Sequence, residues 1–156
     1  MLAHSPLRLS TLLACALVLA FAAQARCESK HFQASQRNFE DLAAQAARLS
    51  AEVDSSWEKN ACNYYAATAV TYAVRSHALA QLAGVAAQMR QPEDQALLRR
   101  KMGETQAYVS RYVGDDLKVL EDLAAGSKNA RIKDLGLHLI NVLRVFERNA
   151  QALAGT

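Results

Sequence analysis

Proline and glycine, the residues that most readily interrupt regular backbone, are scarce in this 156-residue chain. Its two prolines are Pro6 and Pro92, and no glycine precedes Gly84. Apolar residues recur every three or four positions, and the every-second-residue alternation of a half-buried strand is missing. The pattern restricts the fold class to all-α.

Phe39, Leu42, Ala46, Leu49 and Val53 make one such stripe, on a first helix over about residues 30–53. In "DSSWE", Ser55 and Glu58 stand at capping-box spacing and start a second helix over about 56–90. The stripe stays in phase through Trp57, Ala61, Tyr64, Thr68, Tyr72 and Leu79, so one helix from 30 to 90 is the alternative. An isolated helix of that length could not cover its own apolar stripe, which favours the break.

Pro92, followed by Glu93 and Asp94, suits the first turn of a third helix over about 92–125. Its stripe, Leu98, Met102, Val109, Tyr112, Leu120 and Leu123, keeps register across Gly103 and Gly114. "AAGSKN" reads as a turn with Gly126 at the C-terminal cap. A fourth helix over about 128–154 carries Ile132, Leu135, Leu139, Leu143, Phe146, Ala150 and Leu153, and Gly136 marks a close helix approach. Very short loops make neighbours antiparallel, which predicts an up-down-up-down four-helix bundle.

Ahead of that bundle, Arg8 leads into an apolar run from Leu12 to Ala23, and Ala23-Gln24-Ala25 offers small residues at a signal peptidase's two inspection points. The run is shorter than the roughly 20 residues a membrane span needs. The segment 1–25 therefore reads as a secretory signal peptide cleaved after Ala25, leaving residues 26–156 as one helical-bundle domain. The rival is a lipoprotein box at "LLAC", ending on Cys15, which would leave "ALVLAFAA" on the mature chain. An Ala-, Leu- and Arg-rich composition matches a GC-rich bacterium, so the expected compartment is the periplasm, with secretion as the alternative. Cleavage removes only Arg8 among the charged residues and leaves 17 basic against 15 acidic. That near balance argues against nucleic acid as partner.

Two cysteines remain, Cys27 and Cys62, and an oxidising compartment favours one disulfide between them. Geometry opposes it, because a helix hairpin turning near residue 54 puts Cys27 at the far end from Cys62. A buried Cys62 with an exposed Cys27 is the reading preferred here.

The second helix holds the densest chemistry, "NACNYYAATAVTYAVRSH" at residues 60–77. At about 100° per residue it sorts into two apolar faces, one with Tyr64, Thr68, Tyr72 and Arg75, the other with Cys62, Ala66, Ala69, Val70, Ala73 and His77. A helix apolar nearly all round is a buried, central one. The ordinary reading is a packed core helix whose tyrosines reach the rim. The sharper reading is a pocket lined by Tyr64, Tyr65, Thr68, Tyr72 and Arg75 that takes an anionic or aromatic small molecule.

Catalytic motifs are missing: no G-x-S-x-G, H-E-x-x-H or glycine-rich phosphate loop occurs. "GDD" at 114–116 and "RRK" at 99–101 read as solvated charge. Covalent haem is excluded because "CNYYA" is not C-x-x-C-H. His31 and His77 are weak candidates for a metal or non-covalent haem, with His138, Met89 and Met102 offset from them along the bundle, so no cofactor is expected. The chain is expected to be a non-enzymatic exported bundle that acts by binding another protein: a chaperone, an inhibitor or immunity factor, or an envelope-complex component. The alternative is a small-molecule or haem/metal sensor with its pocket at the tyrosine face.

Overall fold

A computed structural model of the chain describes residues 6–154, with side chains described for residues 29–152. The segment 1–25, read above as a signal peptide, and Cys27 lie outside the described side chains. Four helices account for the described residues: α1 (Pro6–Glu52), α2 (Ser56–Ala86), α3 (Pro92–Gly126) and α4 (Ala130–Ala154). No strand occurs among them. The helix expected from residue 30 is the later part of α1.

The junction between α1 and α2 is a real break. Residues 53–55 leave the helical state, and Ser55 accepts a long 3.5 Å hydrogen bond from the Glu58 N–H, half of the expected capping box. The second helix stops at Ala86, short of the expected 90. Reversing direction before Pro92 takes several non-helical residues, and Gln95 braces that turn by donating to the Met89 carbonyl at 2.9 Å. Pro92 occupies the first turn of α3, with Glu93 and Asp94 beside it. The final helix begins at Ala130, with Asn129 Oδ1 accepting the Arg131 N–H at 3.0 Å.

Paired residues give the topology. Ser29 meets Ala80 and Ser50 meets Asn63, so α1 and α2 run antiparallel. Glu121 with Arg144, and Ala124 with Gly136, set α3 against α4 in the same sense. Phe32 with Phe146, and Glu52 with Arg131, do so for α1 and α4. Tyr64 with Asp116, and Arg75 with Tyr108, complete the ring through α2 and α3. The arrangement is consistent with a four-helix bundle, and no described helix is long and apolar enough to cross a membrane.

An aromatic quartet sits inside: Phe32 and Phe39 of α1, Tyr72 of α2 and Phe146 of α4, all fully buried. Ring centroids lie 5.7 to 6.0 Å apart, mostly edge to face, an arrangement worth about 0.5–1.5 kcal/mol per pair beyond simple burial. Around it pack Leu42, Ala46 and Leu49 from α1 and Ile132, Leu139 and Leu143 from α4.

Three sequence expectations are corrected. The core stripe of α3 is Met102, Val109, Val113, Leu120 and Ala124, while Tyr112 is turned outward at 38 % exposure. Gly126 does not cap α3 in a left-handed conformation, since no described glycine has positive φ. Its role is space, because an added Cβ would lie 3.1 Å from the Trp57 ring. Nor is α2 buried all round: it touches each of the other helices, yet Val70 and Val74 are 53 % and 64 % exposed. Three neighbours cover only part of its circumference.

Candidate functional site

The tyrosine face of α2 divides. Tyr64 and Tyr72, eight residues apart, point toward α3 and converge on one carboxylate. The Tyr72 hydroxyl donates to Asp116 Oδ2 at 2.7 Å, and the Tyr64 hydroxyl donates to Oδ1 at 3.3 Å. Burial and the adjacent carboxylate both push the Tyr72 phenol far up, and the same causes raise Tyr64. Both hydroxyls thus stay protonated and serve as donors. Thr68, nearly buried, lies one turn from each tyrosine along this face.

Arg75 is held by rings. Its guanidinium carbon lies 4.4 Å from the centroid of Tyr108 and 5.5 Å from that of Tyr72. One terminal nitrogen, Nη1, is buried with no hydrogen-bond partner. Tyr108 also stacks at 4.6 Å on Tyr112, and Arg111 reaches the Tyr112 ring at 5.8 Å. These groups border a cleft of about 310 Å³ between α2 and α3, which includes Tyr64, Arg75, Tyr108, Tyr112, Asp115 and Asp116.

Tyr65 is elsewhere. Helical geometry turns it about 100° from Tyr64, into the core against α4. Its hydroxyl lies where a Gly136 Cβ would come within 2.5 Å, and it has no protein hydrogen-bond partner. Burial, with Cys62 nearby, raises its pKa to about 12. Of the five residues expected to line one pocket, Tyr64, Thr68 and Arg75 border the cleft, Tyr72 is fully buried behind it with only its hydroxyl reaching Asp116, and Tyr65 turns toward α4.

Two participants escaped the sequence reading. "GDD" read as solvated acid, and Asp115 is exposed as expected, but Asp116 belongs to the seam. Its position was legible in principle, three residues after Val113 and four before Leu120 on the buried stripe of α3. Tyr108 was not singled out at all; its spacing to Tyr112 was the available signal.

The histidines do not meet as a pair. His77 Nδ1 lies 3.1 Å from Gln36 Oε1, which places it level with a residue five positions, about 7.5 Å, beyond His31 along α1. Among the described residues no group of three His, Cys, Asp or Glu stands together as a metal site would need. Cys62 is a buried free thiol, raised by burial and then by Glu58. Ser29, two residues from Cys27, donates to the Ala80 carbonyl at 3.0 Å. Ala80 stands eighteen residues, about 27 Å, along α2 from Cys62, so a Cys27–Cys62 bond would have to break that anchor.

A second cleft of about 430 Å³ lies between α1 and α4, lined by Arg48, Glu52, Arg131, Asp134 and His138 among others. Its Arg131–Glu52 pair, at 2.7 Å, is solvated on both sides and makes no recognition geometry. No family model, curated protein or solved structure matches the chain.

Proposed function

We propose that the chain is an exported, non-enzymatic helical bundle that binds another protein through the joint outer face of α2 and α3. The observation that carries this reading is the stacked, half-exposed pair Tyr108 and Tyr112 beside Arg75 at the α2–α3 seam; the exposed Val70 and Val74 of α2 lie on its other flank, facing a cleft against α1 with Gln36, Glu40 and His77. Tyrosine and arginine are among the residues most enriched where binding energy concentrates. Arg75 and Arg111 supply the second type. The Tyr64 and Tyr72 hydroxyls at this seam are already engaged by Asp116, which leaves the Tyr108 and Tyr112 rings as its outward contact surface.

Export rests on the sequence of residues 1–25, so mature protein should begin near Arg26 and work in the periplasm. N-terminal mass analysis tests that part; diacylglycerol on Cys15 would overturn it. Cross-linking in the native host, followed by comparison with a Tyr108→Ala, Tyr112→Ala variant, tests the face. The variant should lose a defined partner while keeping its helical spectrum. Retention of the same partner at the same yield would remove this face from consideration.

A further inference from the structure

The α2–α3 cleft carries opposite charges at its two ends, and two of them, Arg75 and Asp115, have no hydrogen bond or ion pair among the described residues. Arg75 is held on two rings yet forms no hydrogen bond or ion pair among the described residues; its Nη1 is buried without an acceptor, which is costly, while the half-buried side chain borders the cleft. The rings fix its plane, the arrangement that suits a carboxylate. At the other end Asp115 is exposed and likewise unpaired among the described residues. Asp116 beside it is held by the Tyr64 and Tyr72 hydroxyls. Between the two ends lie the rings of Tyr64, Tyr108 and Tyr112.

A simple anion would be repelled by the aspartates, and a simple cation by Arg75. A molecule bearing both charges satisfies both ends. We propose that this cleft binds a small zwitterion with an aromatic or apolar side group, a free α-amino acid or a short peptide, its carboxylate on Arg75 and its ammonium on Asp115 and Asp116. Volume agrees, since about 310 Å³ is at the low end for ligand sites. Asp115 follows Tyr108 by seven residues, about 10.5 Å along α3. That span is wide for the adjacent charges of an α-amino acid and better matched to the separated termini of a dipeptide.

The site goes beyond the docking reading, and its test needs no partner protein. Calorimetric titration of the purified chain would use L-phenylalanine, the dipeptide glycyl-phenylalanine, and their N-acetyl and C-amide derivatives. Saturable binding is expected, tighter for the dipeptide than for the amino acid, and weakened roughly tenfold or more by blocking either end. Arg75→Gln should weaken binding by a similar factor. Asp115→Asn, at an exposed position where folding is not at stake, should weaken the free zwitterions and leave the N-acetyl forms unchanged. The proposal is overturned if nothing saturates up to about 10 mM with the helical spectrum intact, if blocked and free forms bind alike, or if Asp115→Asn has no effect.

Discussion

The α1–α4 seam and the α2–α3 seam close the same bundle by different chemistry. The first is, inside, ring against ring: Phe32 and Phe39 meet Phe146 edge to face, and its Arg131–Glu52 pair stays at the solvated surface. The second is held by polar anchors, Asp116 under two tyrosines and Arg75 between two rings, with an unpartnered guanidinium nitrogen left inside. Apolar burial returns a few kcal/mol per large side chain, whereas a hydrogen bond nets about 1 kcal/mol after water is displaced. One seam is built for stability and the other tolerates polar cost, as binding surfaces do.

The sharpest break of that comparison is Phe146→Ala, which removes three ring contacts at once and should cost about 3–5 kcal/mol. Urea unfolding measures it, and a loss under about 1 kcal/mol would mean the quartet contributes little to stability. Next comes Gly136→Ala. Its Cβ would stand 2.5 Å from the Tyr65 hydroxyl oxygen, so overpacking should cost up to about 3 kcal/mol. Adding Tyr65→Phe removes the clashing oxygen and should restore part of that loss; a double variant no more stable than the single one would refute the contact.

On the polar seam, Asp116→Ala strips two phenols of their acceptor and should cost about 2 kcal/mol, visible in the same urea assay. An effect as large as that of Phe146→Ala would erase the distinction between the seams. Alkaline pH probes the tyrosines. Burial holds Tyr65 up at about 12 against an ordinary 10.0, so the unfolded chain ionises first. Stability present below pH 10 should then decline as pH rises from about 10 toward 12. Melting curves across that window should fall less steeply for Tyr65→Phe, and equal slopes would show that Tyr65 is not the group responsible. The smallest effect belongs to the surface: Tyr108→Ala with Tyr112→Ala should move stability by only about 0.5–1 kcal/mol.

Long-range periodicity made the helices legible, along with the break near residue 54, the role of Pro92 and the close approach at Gly136. What escaped was rotational detail. A seven-residue window cannot separate Tyr112 from Val113 as the inward residue, since both fit a stripe within a 100° error. Asp116 was misjudged because a carboxylate in a buried register looks like surface acid until the tyrosines facing it are known, 44 and 52 residues away. Tyr65 was grouped with its neighbours by composition, though adjacency on a helix separates side chains.

The aromatic quartet joins residues 32, 39 and 72 to residue 146, nearly the whole length of the folded chain. During synthesis the first two helices can pair as soon as they emerge, but the rings they contribute stay uncovered until α4 arrives. The bundle therefore cannot lock early. A chain with this wiring completes its core only when its last helix is made, which would suit the export proposed above.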